Sequence, residues 1–204
     1  QSRSSAASDV YKRQVLLICD EVQTGLGRSG RLLACDHDGM RPDGLILGKA
    51  LGGGLLPVSA FLARSDVMDV FTPGDHGSTF GGNALAAAVG YAALSLLRDG
   101  GLVEAAEQRG QQLRAGLRAI KHPAIRSVRG KGLLIGLELD PALISARTFC
   151  ERLMENGVLS KETHHTVVRF APPLIITADE VDAALRIIEH VFATFPTTHM
   201  EVCT

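Results

Sequence analysis

Apolar and polar positions alternate in two rhythms along this chain. In the first hundred residues the apolar positions come as short unbroken runs. One begins at Val15-Leu16-Leu17-Ile18 and passes through Cys19 into Asp20, Glu21, Val22 and Gln23. Another, Leu45-Ile46-Leu47, ends in Gly48, Lys49 and the triplet Gly52-Gly53-Gly54. Short runs bounded by turn residues predict buried strands of an α/β sheet. Between them, residues 31–37 predict a short helix closed by Gly39, and Arg41-Pro42-Asp43-Gly44 predicts a turn. Residues 57–63 predict another strand, and Ser65 a cap on a short helix reaching about Val70. Residues 84–98 predict a long apolar helix opening from the loop that ends at Asn83.

After Gly100-Gly101 the rhythm changes to that of amphipathic helices and short strands. Leu102, Ala106, Leu113 and Leu117 fall at helical spacing within residues 102–121. Residues 125–139 predict a strand pair, or one bent strand, interrupted at Arg129-Gly130-Lys131-Gly132. A helix over 144–156 ends with Gly157 as its C-cap. A strand over 166–172 carries Arg169, and a closing helix over 178–195 has Thr177 and Glu180 as a capping box. The chain therefore divides, in this reading, into a first domain at 15–99 and a smaller α+β domain at 100–197, with a tail at 198–204. Residues 1–14 are polar and Ser-rich, lack a signal-peptide apolar core, and are set aside as a non-native or disordered leader.

Composition narrows the function classes. At 204 residues the chain can bury a core for one or two domains. Its net charge of -1 argues against nucleic acid or an anionic membrane as partner. No apolar run approaches the roughly 20 residues of a membrane span. Cys19, Cys35, Cys150 and Cys203 are scattered without a CxxC pair, which disfavours disulfides and zinc and fits a reducing compartment. His164-His165 has no carboxylate or cysteine at ligand spacing, so no metal is assigned.

In α/β sheets, ligands bind beyond the carboxyl ends of the strands. Asp20 and Lys49 would both stand at that edge. An acid and a lysine there suit pyridoxal phosphate, whose aldehyde a lysine holds as a Schiff base while an acid partners the ring nitrogen. A lone lysine is more often a solvated surface residue. Here, however, it lies between a buried-looking run and glycines that let a ligand approach, and a desolvated lysine is a usable nucleophile. Two phosphate motifs fail. Gly25, Gly27 and Gly30 read as GxGxxG, but Asp20 to Thr24 separate the first glycine from the strand, and two carboxylates would face the pyrophosphate. The segment is expected instead to be a flexible active-site loop. Gly44, Gly48 and Lys49 have three residues between the glycines, not four, and Ala50 follows where a P-loop needs Ser or Thr. The loop at 73–83 offers hydroxyls and amides that can hold a phosphate at a helix start, or is a plain loop with an Asn cap.

Five segments in order resemble one family: Asp20-Glu21-Val22-Gln23-Thr24-Gly25, Gly48-Lys49-Ala50-Leu51, His76 to Asn83, Arg129-Gly130-Lys131-Gly132-Leu133 and Arg169-Phe170-Ala171-Pro172-Pro173-Leu174. They resemble the class III pyridoxal-phosphate aminotransferases of the aspartate-aminotransferase fold (fold type I), over 15–195. The resemblance implies part of the large cofactor-binding domain followed by the small domain. It implies that Lys49 carries the cofactor and shuttles the proton, Asp20 faces the pyridinium nitrogen and Gln23 the 3-hydroxyl. It further implies that Ser78 and Thr79 reach the phosphate of a neighbouring subunit, in a homodimer with shared sites, and that Arg169 receives a substrate carboxylate. Segments 57–60 and 160–164 resemble the ornithine-type members. The glycine triplet and residues 174–177 occur also in the acetylornithine type. The expected reaction moves the terminal amino group of ornithine to 2-oxoglutarate, in the cytoplasm or, in a eukaryote, the mitochondrial matrix. Acetylornithine, 4-aminobutyrate and mutase chemistry on the same scaffold are the alternatives. Family members are about twice as long, so the chain reads as a fragment that is inactive alone, or that only docks on an intact subunit.

Overall fold

The computed structural model describes residues 15–195; the expected leader and tail lie outside the described residues. The chain divides between Val103 and Glu104 into two compact units.

The first unit holds three strands in the order β1-β2-β3: β1 (Ile18–Asp20), β2 (Gly44–Leu47) and β3 (Ala60–Ala63). β1 and β2 are parallel, with Ile18 opposite Gly44 and Asp20 opposite Ile46; β3 is antiparallel to β2. The strands fall where the apolar runs fall, but the expected burial of the first run does not hold. Val15, Leu16 and Ile18 are at least half exposed, because β1 lies at the sheet edge with β2 as its one described neighbour. The crossover from β1 to β2 contains a 3-10 turn, Ala34–Asp38, closed by Gly39 at φ 62°. It starts later than the pattern predicts because the Asp36 carboxylate accepts from Leu33 N, fixing the first turn there.

One expectation is extended in this unit and one is corrected. Asp43, expected only as part of a turn, is buried. It is 4% exposed, accepts from Leu17 N at 2.8 Å and is paired with Arg64, so it ties the entry of β1 to the exit of β3. Ser65 does not cap the short helix α1 (Ser65–Met68). Arg64 stands at that N-cap without a side-chain cap bond, its guanidinium committed to Asp43 and Asp66. The long helix α2 (Ala84–Asp99) is capped by Asn83, one of the two readings of the preceding loop: Asn83 Oδ1 accepts from Ala86 N at 2.8 Å.

Helix α3 (Leu102–Ala119) leads into the second unit and buries Ala106, Leu113 and Leu117. A four-stranded antiparallel sheet follows: β4 (Ile125–Lys131), β5 (Leu134–Leu139), β6 (Lys161–Thr163) and β7 (Val167–Phe170), in the order β4-β5-β7-β6. The interruption expected at 129–132 falls later. β4 runs through Lys131 and the hairpin turns at Gly132-Leu133, with Gly132 at φ 51°. Helix α3 holds that turn: Glu107 accepts from Gly132 N, and the buried Arg114 donates to Gly132 O at 2.7 Å. Helix α4 (Ala146–Glu155) begins at the Ser145 cap. It ends with Gly157 N bonded to Met154 O and Val158 N to Leu153 O, the paired bonds of a Schellman end. Helix α5 (Ala178–Ala193) carries the expected Thr177–Glu180 capping box. Ile135, Leu137, Leu139, Phe149, Val168, Ile188 and Phe192 form the centre of one closed core. Strand β6, not foreseen in the sequence, is a three-residue edge strand on β7.

Candidate active site

Because β1 and β2 are parallel, their carboxyl ends lie at one edge. Asp20 closes β1, and Glu21 N extends the pairing to Ile46 O at 2.9 Å. Lys49 lies two residues past the end of β2. Between them, Gly48 is extended, and a Cβ placed there would meet Val22 Cγ1 at 3.4 Å and Ser59 Cβ at 3.8 Å. The turn after β1 and the approach to β3 thus close around the residue before the lysine. Lys49 has φ 45°, a left-handed conformation costing a side-chain-bearing residue about 1–2 kcal/mol. Such strain concentrates where structure serves function.

Lys49 is exposed rather than desolvated as expected, and forms no ion pair with a described residue. The edge is open in this unit, so nothing among the described residues covers the ammonium. Asp20 is also exposed; its Oδ1 accepts from Val22 N at 3.0 Å, which fixes the carboxylate and leaves Oδ2 open. Gln23 is exposed in the same turn. The first unit therefore brings Asp20, Gln23 and Lys49 to one sheet edge. Ser78 and Thr79 stand on the exposed loop before α2. Ser78 lines a cleft of about 790 Å³ with Ser59, His76, Phe80, Asn83 and Tyr91, and its Oγ accepts from Gly81 N at 3.0 Å. Thr79 is exposed and is not among the cleft's lining residues. Arg169 belongs to the second unit, half-buried on β7, and makes no ion pair with a described residue.

The segment expected to be a flexible loop is packed. Gly25, Leu26, Gly27, Ser29 and Gly30 are all buried. The organiser is Glu21, 2% exposed, whose two oxygens accept from Cys35 N at 2.8 Å and Thr24 Oγ1 at 2.6 Å. A Cβ on Gly25 would lie 2.9 Å from Glu21 O, so that glycine is required by close approach, not by a nucleotide. No helix follows the third glycine directly, as a dinucleotide fingerprint needs. The sequence reading missed Glu21 as an anchor. Strand alternation carries the signal: neighbours on a strand face opposite ways, so an exposed Asp20 puts Glu21 on the covered side. Burial, with Glu21 beside it, pushes the Cys35 thiol up to about 11.

Pyridoxal phosphate asks for a primary amine, a carboxylate with a free oxygen, a hydrogen-bonding amide and hydroxyls near a helix start. Lys49, Asp20 with Oδ2 open, Gln23, and Ser78 with Thr79 ahead of α2 supply these donor and acceptor types. The residues present fit the group. Among the described residues no cluster of His, Cys, Asp or Glu suits a metal ion, and no helix is long and apolar enough to cross a membrane.

Comparison with known proteins bears on this edge. The chain is 55% identical over 182 residues to an ornithine aminotransferase of Staphylococcus epidermidis, covering 89% of this chain and 45% of the relative. It superposes with a TM-score of 0.88 on the ornithine aminotransferase of Toxoplasma gondii, a structure described with partial occupancy of PLP at its active site. That match has 49% identity and covers 92% of this chain and 45% of that one. An acetylornithine aminotransferase of Elizabethkingia anophelis matches with a TM-score of 0.86 and 47% identity, over 92% of this chain and 48% of that one. The chain thus spans about half the length of the curated relatives it matches. The aminotransferase class-III sequence family matches residues 6–192, a stretch that contains the whole strand edge, the loop before α2 and β7. With that match over most of its length and relatives at this level of identity, the chain belongs to the class-III aminotransferases.

Proposed function

We propose that the chain is the carboxyl-terminal half of a pyridoxal-phosphate-dependent ornithine aminotransferase, passing the terminal amino group of ornithine to 2-oxoglutarate. The observation that carries the reading is the pair Lys49 and Asp20 at the carboxyl ends of adjacent parallel strands, with the lysine in a strained left-handed conformation. The cofactor, when bound, supplies an electron sink for the carbanion at the substrate's amino-bearing carbon. The chain's residues do the rest. Lys49 Nζ is the amine that holds the cofactor and moves the proton. Asp20 Oδ2, open while Oδ1 is fixed by Val22 N, keeps the ring nitrogen protonated. Gln23 meets the ring hydroxyl. Ser78 and Thr79 offer hydroxyls to the phosphate of a second subunit, in a homodimer with shared sites. Arg169, without an ion pair among described residues, offers a planar fork to a substrate carboxylate.

The choice of ornithine rests on the curated relatives at 55–56% identity. Acetylornithine is the second reading, because a structure of that enzyme matches almost as well as those of the ornithine type. Three free cysteines among the described residues are compatible with a reducing compartment, the cytoplasm or, in a eukaryote, the mitochondrial matrix. The chain alone is expected not to turn over, and measurable transamination by the pure chain would overturn that part. Borohydride reduction of the chain with pyridoxal phosphate, followed by peptide mapping, tests the site. Label confined to Lys49 supports it; label spread over surface lysines, unchanged by Lys49→Ala, defeats it.

A further inference from the structure

Strand register in the second unit sets basic residues in a row. Arg129 pairs with Gly136, Gly136 with Arg169, and Arg169 with Lys161, so one line crosses all four strands from β4 to β6. Directly paired residues point to the same face. Here that face is opposite the core, since the alternate residues Ile135, Leu137, Val168 and Phe170 are the buried ones. Gly136 leaves the middle of the row without a side chain. A Cβ there would meet Val167 Cγ1 at 3.2 Å, Arg129 Cγ at 3.7 Å and Arg129 Nε at 3.9 Å, so the arginine leans across it.

The charges in the row are not balanced alike. Arg129 is neutralised: its guanidinium donates to Glu138 Oε2 at 2.7 Å and Ser127 Oγ at 3.3 Å. Glu162 pairs with Val168, facing away from the row, and lies 3.7 Å from Arg147. Arg169 and Lys161 stand directly opposite each other on β7 and β6, and neither forms an ion pair with a described residue. Like charges directly opposite on neighbouring strands destabilise a sheet. An anion placed between the two cations would offset that repulsion.

We propose that Lys161 is a second cationic contact to the substrate carboxylate received by Arg169, the two forming a clamp across β6 and β7. This rests on the reading of Arg169 given above. The arginine fork fixes the carboxylate plane. The lysine adds a point charge on a rotatable stem, which suits the one site to substrates whose carboxylates arrive at different heights, such as an amino acid and a 2-oxo diacid. On the third side Arg129 lies over Gly136 with its charge already taken by Glu138, so it adds no excess charge beside the clamp.

Glutarate, a diacid with no carbonyl to react with an amine, is the probe. It is titrated into the whole chain while the backbone amide resonances of Gly136 and Val168 are followed. Saturable shifts are expected, with affinity about tenfold weaker in Lys161→Gln and in Arg169→Gln, the loss typical of one charge-assisted hydrogen bond. Lys161→Arg keeps the charge and is expected to bind within about twofold of the parent. Loss in Arg169→Gln with none in Lys161→Gln would overturn the clamp and leave the arginine reading standing. No saturable shift, or no loss in either variant, would overturn both. Lys161 is exposed on an edge strand, and an unchanged amide spectrum checks that the variants fold.

Discussion

The two units spend their apolar residues differently. In the second, the inward residues of β5 and β7 and the buried stripes of α3, α4 and α5 meet in one core whose central side chains are essentially inaccessible. In the first, Leu55, Phe80, Leu85, Tyr91 and Leu96 are each at least 64% exposed, and Phe61 and Leu62 of β3 remain nearly half exposed. Both units come from equally apolar sequence. The difference is that the second completes its core from its own residues, whereas the first presents apolar surface of the kind that marks contact with further protein. The proposed catalytic edge belongs to the unit that does not close on itself. A site shared between subunits is in keeping with that.

The largest effect expected from this contrast is at Phe149. Its ring lies 4.4 Å from that of Phe192 and 5.9 Å from that of Phe195, with no exposed surface. Phe149→Ala should cost about 3–5 kcal/mol by urea unfolding. Leu96→Ala, at a helix position 64% exposed, should change stability by less than about 0.5 kcal/mol. A comparable loss at Leu96 would break the contrast, because it would mean that this face is covered in solution.

Gly110 comes next. A Cβ there would lie 2.0 Å from Gly132 O, so α3 and the β4–β5 turn would have to separate. Inside a helix, Gly→Ala ordinarily stabilises by up to about 1 kcal/mol. Here the sign should reverse, with a loss of about 1–3 kcal/mol from overpacking. Thermal melts of Gly110→Ala decide this; any gain in Tm would show that the turn yields freely.

How much of this was legible beforehand depends on the range of the physics. Helices α2, α3 and α5 were readable because periodicity and caps are local. Asn83 and the Thr177–Glu180 box act within three residues. Asp20 and Lys49 could be placed at a strand edge because apolar runs end just before them. What could not be read is set by contacts distant in sequence. Asp43 and Glu21 are buried because Leu17, Arg64 and Cys35 come to meet them. Lys161-Glu162-Thr163 carries no strand pattern and is a strand only because β7 pairs with it. The opposition of Lys161 to Arg169 exists in the register alone.

Glu21→Gln sharpens the comparison by charge. It removes an anionic acceptor buried beneath the proposed site and should cost about 1–3 kcal/mol, felt in the first unit. Burial and Glu21 together hold the Cys35 thiol near 11, above its ordinary 9.0. A raised pKa favours the protonated thiol in the folded chain. The stability it contributes is therefore complete below pH 9 and is lost as pH rises through about 11. At pH 8.5, alkylation of Cys35 should be slow and should quicken in Glu21→Gln. Cys150, in the second unit, has a thiol raised mainly by burial and no contribution from Glu21, so its rate should not change. Equal acceleration at both cysteines would mean general loosening, not loss of one charge.

The smallest effect separates local from tertiary stability. Asn83 and Thr177 both cap helices through a side-chain oxygen, accepting from Ala86 N and Glu180 N. The local loss on replacement by Ala should be about 1 kcal/mol for each. Helix α5 buries Val181, Ile188, Val191 and Phe192 in the closed core, so losing its cap should weaken the whole second unit in proportion. Helix α2 buries Gly90, Ala93 and Leu97 and leaves Leu85, Tyr91 and Leu96 outside, so Asn83→Ala should fray its first turn without lowering the stability of the rest. Native-state amide exchange reads the two directly. Thr177→Ala should speed exchange across α5 and in β5 and β7, whereas Asn83→Ala should speed it only at the start of α2. Exchange that spread from Asn83 through the whole first unit would show that this unit is a cooperative body despite its open face.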